Sequence, residues 1–190
     1  VTNDLVTDQR VMRTIGVLRE LGFEPTFVGR QMPQSLPFEK PYPSHRFKLW
    51  FNKGFLFYAN YNFRLFFFLL FRRYDLYISN DLDTLLPNYL VSKLKGKPLV
   101  YDSHEYFTGV PEILEKWIFP KLKDVITVNQ SIANLYKEEY GKEVKVIRNI
   151  SDSSLPEKVK TREELELPKD AFILINQGAG INVDRGMEEA

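Results

Sequence analysis

Apolar residues recur along this chain in short, separated bursts, and the spacing within each burst assigns an element. Val11, Ile15, Leu18 and Leu21 fall at helical spacing after Thr7-Asp8, an N-cap candidate. Gly22 ends that helix, and 23–29 predicts a strand through Thr26, Phe27 and Val28. The 31–44 stretch carries Pro33, Pro37, Pro41 and Pro43 and predicts a loop. Alternating apolar and polar residues over 45–51 predict a strand near a sheet edge.

The 55–71 segment is densely aromatic. As a helix of about 17 residues it would span about 25 Å, short of the roughly 30 Å hydrocarbon layer of a bilayer. Arg64 sits in its middle, Arg72-Arg73 close it, and Lys53, Asn60 and Arg64 share one stripe. The pattern predicts a helix packed against a sheet, with one polar side.

Beyond it the alternation is regular. Strands are predicted at 76–79, 98–101, 125–128 and 144–147. Helices are predicted at 82–94, ending at Gly96, at 112–122 with a break at Pro120, and at 131–140, ending at Gly141. Short apolar strands alternating with helices indicate an α/β fold of Rossmann-like, doubly wound type: a parallel sheet, joined also by 23–29, with helices on both faces. A polar stretch at 151–160 containing Pro156 predicts a linker. A short helix opening at 161–164, a strand over 171–177 and a glycine-bearing loop at 178–186 would begin a second sheet. The expected organisation is a domain over 1–150, a linker over 151–170, and the start of another domain at 171–190. The opening Val1-Thr2-Asn3-Asp4 has the character of a strand's last turn and following loop, so the chain is read as truncated at both ends.

Composition narrows the chemistry. The 190 residues are 44% hydrophobic and 14% aromatic, enough for a packed core. Lys+Arg number 26 against Asp+Glu 25, so a net charge of +1 gives no general pull toward nucleic acid. With no cysteine, disulfides, thiolate metal sites and cysteine nucleophiles are all excluded. His45 and His104 are the only histidines, which argues against a multi-histidine zinc site. A cytoplasmic, metal-free protein is expected.

Open parallel sheets bind ligands at the carboxyl ends of their strands. That rule selects Asn3, Asp4 and Asp8, then Asn80 and Asp81, then Asp102, Ser103, His104 and Glu105, then Asn129 and Gln130, then Arg148 and Asn149. Such a rim suits a sugar, which presents many donors and acceptors and little apolar area. Helix capping is the competing reading for Asn80, Asp81, Ser103 and Asn129. It accounts less well for the four successive polar residues 102–105. An isolated histidine is more often structural than catalytic, and position alone leaves both readings of His104 open. No Gly-x-Gly-x-x-Gly turn, P-loop, nucleophile elbow or His-Glu-x-x-His is present.

Five segments in order carry a family likeness. Asp8-Gln-Arg-Val with Leu18-Arg-Glu-Leu-Gly22, then Asn80-Asp81, then Leu99-Val-Tyr-Asp-Ser-His-Glu105, then Val146-Ile-Arg-Asn149, then Gln177-Gly178 with Arg185-Gly186, resemble glycosyltransferase family 4. The resemblance implies the GT-B fold, in which an acceptor-side and a donor-side Rossmann-like domain face each other across a cleft. It implies sugar transfer from a nucleotide-sugar donor to a glycan or lipid-linked acceptor, with retention and without a metal, in cell-surface polysaccharide synthesis. His104 would lie beside the donor sugar and Arg185 would neutralise the departing diphosphate. Asp8, Arg10, Asn80, Asp81, Glu105 and Asn149 would contact substrate. With lipid-linked acceptors common in the family, the basic residues around 55–71 suggest weak, salt-sensitive contact with the inner face of a membrane.

The chain also departs from the family. Asn3-Asp4-Leu5-Val6 has no glycine pair, and Ala179 follows Gly178 where many relatives carry Arg. The family's acidic pair, two Glu separated by seven residues, would lie beyond Ala190, so the chain as it stands is expected to be inactive. A nucleotide-sugar 2-epimerase of the same architecture and a non-catalytic glycan-binding domain are the alternatives.

Overall fold

A computed structural model describes residues 1–2, 5–6, 8–107, 110–150 and 160–175. It divides into two compact units, Val1–Ile150 and Ser151–Ala190. The first unit is α/β. Asp8 caps α1 (Gln9–Glu20) by accepting the Val11 N–H at 3.2 Å, and Gly22 follows the helix at φ 84°. Strand β1 (Phe27–Gln31) pairs in parallel with β2 (Ser44–Lys48), Phe27 opposite Ser44. A parallel pair needs a long crossover, here supplied by the proline-rich loop 32–43. Helix α2 (Gly54–Leu70) follows, then β3 (Tyr77–Asn80), a 3-10 turn (Leu82–Thr84), α3 (Leu85–Lys95) and β4 (Leu99–Ser103). Helix α4 (Val110–Ile118) ends in a 3-10 turn containing Pro120, before β5 (Asp124–Thr127), α5 (Gln130–Tyr140) and β6 (Lys145–Val146). Strands β3-β4-β5-β6 form one sheet, all parallel.

The single sheet expected from the alternation is therefore two. Strand β1 does not join β3; a cavity of about 460 Å³ lies between them, lined by Phe27 and Val28 on one side and Tyr77 and Ile78 on the other. Only Val1 and Thr2 are described crossing the gap. The Val1 nitrogen donates to the Val28 carbonyl at 2.8 Å, Tyr61 Oη donates to the Val1 carbonyl, and Thr2 Oγ1 donates to Asp83.

The buried apolar residues form two clusters. The larger joins Phe47, Tyr61, Leu65, Tyr77, Leu85, Tyr101, Phe119 and Tyr136. The smaller joins Leu5, Val11, Ile15 and Phe27. Helix α2 buries Phe57, Tyr61, Leu65, Phe68 and Leu69, while Phe55, Leu56, Phe63, Phe67 and Phe71 on its other side are exposed. It lies against the fold as expected; of the expected polar stripe Lys53 is exposed and Asn60 and Arg64 are half-buried, and exposed aromatics flank them.

In the second unit, Thr161 and Glu164 bond each other's backbone N–H reciprocally, a capping box. The turn they open closes at Glu166, φ 54°, so no helix forms there. Residues 171–175 form no strand either: Phe172, Leu174 and Ile175 are exposed and have no ladder partner among the described residues. Residues 176 and 177 of that expected strand lie outside the described residues.

Candidate functional site

The parallel register sets Asn80 opposite Asp102, so the tips of β3 and β4 end side by side. The chain turns sharply at both. Asp81 adopts φ 60°, ψ 167°, a region that L residues rarely enter and that costs on the order of 1–3 kcal/mol. Three bonds hold it there and nearby: Asp81 N–H donates to the Asp102 carbonyl at 2.9 Å, His104 N–H donates to Asp81 Oδ1 at 3.0 Å, and Thr84 Oγ1 donates to the Asn80 carbonyl at 3.0 Å.

These turns close two carboxylates on one imidazole. His104 Nε2 lies 3.0 Å from Asp102 Oδ1, and its Nδ1 lies 3.5 Å from Asp81 Oδ2. The first distance is a hydrogen bond; the second is ion-pair distance, and Nδ1 has no hydrogen-bond partner. The His104 side chain is only 6% exposed. Burial alone would lower its pKa, but the bonds and charges of Asp102 and Asp81 outweigh this and raise it to about 9. Burial would likewise raise the Asp81 carboxyl; the His104 bond and charge, with Arg10 contributing, bring it below its usual value instead. At neutral pH His104 thus carries its proton, donates through Nε2 to Asp102, and has no free lone pair to act as a base.

The other selected residues divide. Arg10 adds positive potential to the Asp81–His104 cluster. Asn80 holds a buried Oδ1 without a hydrogen-bond partner. Glu105 is exposed on the same turn, its carbonyl accepting from Ser103 Oγ at 3.0 Å. Asp8 acts as the cap of α1, and Asn129 caps α5 by accepting the Ile132 N–H. Asn149 is exposed, and its Oδ1 accepts from Arg13 on α1, which also bonds the Ile150 carbonyl. It is tied to α1 rather than to the His104 clamp. Arg185, Asn3 and Asp4 lie outside the described residues.

Two groups escaped the selection. Asp83, just past β3, is bonded by Thr2, and burial raises its carboxyl. Beneath the His104 turn, Tyr101 and Tyr136 each donate to Glu115 Oε1 at 2.8 Å, and Tyr136 Oη lies 2.6 Å from Ser103 Oγ. Glu115 shares a helical stripe with Ile118 and Phe119, and a charge on an apolar stripe was the available signal. Among the described residues no group of three or more His, Cys, Asp or Glu is arranged to hold a metal ion.

A family model described as Glycosyltransferase Family 4 matches residues 8–154. That span runs from the cap of α1 past β6 and contains every selected site residue except Asn3, Asp4 and Arg185. No curated protein matches the chain.

Proposed function

Because the chain belongs to glycosyltransferase family 4, we propose that it forms the acceptor-side half of a retaining glycosyltransferase that takes its sugar from a nucleotide-sugar donor. The acceptor is a glycan or lipid-linked glycan of cell-surface polysaccharide synthesis, and the reaction uses no metal.

The observation that carries this reading is the clamped imidazolium at the carboxyl ends of β3 and β4. The imidazolium is buried between its two carboxylates, so it would act through its charge: a fixed cation at the strand tips suits the negative charge that develops as diphosphate departs. Asp81 and Asp102 hold the ring, so its orientation is set before substrate arrives. Glu105, exposed on the same turn, offers a carboxylate for sugar hydroxyls. Arg185 neutralises the leaving phosphate from the second domain, a role taken from the family motif.

The test is transfer from a panel of nucleotide sugars by a protein carrying both domains, with the product's anomeric configuration read by NMR. Arg185→Ala lowers turnover by roughly two to three orders of magnitude, the loss expected for one preorganised group that meets transition-state charge. His104→Ala impairs transfer with less effect on nucleotide affinity. A His104→Ala rate within about threefold of the parent, in a folded protein, would return this histidine to a purely structural role.

A further inference from the structure

The outward face of α2 is the feature that the transfer reading leaves unused. Phe55 is 83% exposed, Phe63 65% and Phe71 79%, with Leu56 and Phe67 between them on the same side. Trp50, 77% exposed, and Phe51 lie just before the helix. A solvated helix needs one apolar stripe, and Phe57, Tyr61, Leu65, Phe68 and Leu69 already provide it on the inward side. A second, contiguous aromatic face adds nothing to the core and is costly in water, so it marks a contact surface.

Charge identifies the partner. No acidic residue occurs between Glu39 and Asp75, whereas Lys40, Arg46, Lys48, Lys53, Arg64, Arg72 and Arg73 all do. In a chain whose charges otherwise nearly balance, this is a strong local bias. Lys53, Arg72 and Arg73 are exposed at the two ends of α2. Arg64 lies over the Trp50 ring at 4.7 Å, and Arg72 over the Phe68 ring at 4.0 Å. Cations flanking exposed aromatics match a surface that is apolar beneath and anionic at its rim. A second copy fits poorly, because a two-fold contact through this face would set Arg64, Arg72 and Arg73 against the same residues.

We propose that the outer face of α2 docks onto an anionic lipid bilayer, lying in the interface with its aromatics among the acyl chains and its basic ends on the headgroups. Its 17 residues lie along the surface, and among the described residues no helix is long and apolar enough to cross a membrane. This contact is independent of the transfer reading: it holds or fails whatever the protein's substrate.

The test is flotation of the protein with vesicles of phosphatidylcholine alone, and with vesicles in which about a third is phosphatidylglycerol. On the order of tenfold more protein floats with the anionic vesicles, and about 0.5 M salt removes most of that difference. In a Trp117→Phe background, Trp50 fluorescence shifts to the blue on binding. Phe63→Ser with Phe67→Ser, both exposed positions, and separately Lys53→Glu with Arg73→Glu, each reduce binding severalfold while circular dichroism stays unchanged. Equal flotation with both vesicle types overturns the proposal, as does anionic binding that survives the phenylalanine substitutions. Concentration-dependent self-association in place of vesicle binding, abolished by Phe63→Ser with Phe67→Ser, also overturns it, because the face is then a contact between copies.

Discussion

His104 and His45 are the chain's only histidines, and their surroundings push them in opposite directions. His45 stacks on Phe68 at 4.5 Å between ring centres; burial, helped by the Arg72 charge, lowers its pKa below 6.5. His104, between Asp102 and Asp81, is raised from 6.5 to about 9. An NMR titration should therefore show one imidazole losing its proton below the usual value and the other near pH 9. Two imidazoles both titrating near 6.5 would mean that the clamp does not hold in solution. Linkage gives the sign of the stability effect. A folded value above the unfolded one stabilises fully below pH 6.5, and that stabilisation drains away as pH rises through about 9. Asp81, depressed below 3.8, contributes above that value and loses its contribution as pH falls. The His104 contribution to unfolding free energy, read as the difference between parent and His104→Gln, should accordingly hold level through mildly acidic pH and decline from about 6.5 to 9, by on the order of 2–3 kcal/mol. His45, lowered in the fold, makes total stability rise as pH approaches 6.5. Asp102→Asn removes the closer carboxylate, so the His104 titration should move downward and the alkaline decline should shrink. If transfer depends on the cation, activity follows the same alkaline limb.

At the scale of elements, the His104 turn rests on a polar joint between β4, α4 and α5. Glu115 accepts from Tyr101 and Tyr136 through one oxygen, Tyr136 reaches Ser103, and Ser103 bonds the Glu105 carbonyl. The second oxygen, Oε2, is buried without a partner, and burial raises the carboxyl despite the two tyrosine bonds. Glu115→Gln keeps an acceptor for both hydroxyls and removes the buried charge, so unfolding stability should stay within about 1 kcal/mol of the parent. Glu115→Leu leaves both hydroxyls unpaired and should cost about 2–4 kcal/mol, read as a shift of the urea midpoint. Equal damage from the two substitutions would rule out the acceptor role.

Much at this scale was legible in advance. The strand–helix alternation from β3 to α5, the stops at Gly96 and Gly141 (φ 61° and 63°) and the break at Pro120 all follow from local sequence. The strand-end rule also found Asp81 and His104. What it could not supply was the clamp, which depends on the β3–β4 register and on an aspartate held at positive φ. Arg13 meeting Asn149 across most of the unit is invisible for the same reason. Apolar character alone predicted a strand at 171–177, but a strand exists only with a partner, and 171–175 has none among the described residues.

At the scale of the whole first unit, the division into two cores bears on how it opens. Leu5, Val11, Ile15 and Phe27 pack together apart from the larger core around Tyr61, Tyr101 and Tyr136. The 460 Å³ cavity separates α1 and β1 from β3, and among the described residues no backbone ladder crosses it. What joins the halves is the β1–β2 pair, since Phe27 lies in the small core while Phe47, on β2, lies in the large one. Arg13 with Asn149, Thr2 with Asp83, and Tyr61 with the Val1 carbonyl add polar ties. A core of four buried side chains contributes far less than one of seventeen, and the cavity forfeits contacts that would couple them. Cooperative opening should therefore begin with α1 and β1. Native-state hydrogen exchange should find the α1 amides exchanging at least about 1 kcal/mol more readily than those of β4 and β5, through an opening that responds weakly to urea. Phe27→Ala, in the small core, should accelerate α1 exchange and leave β4 and β5 nearly unchanged, whereas Tyr101→Phe, in the large core, should leave α1 unchanged and speed β4. Protection of α1 equal to that of β4, or a Phe27→Ala effect spread evenly over both, would show that the two cores unfold as one.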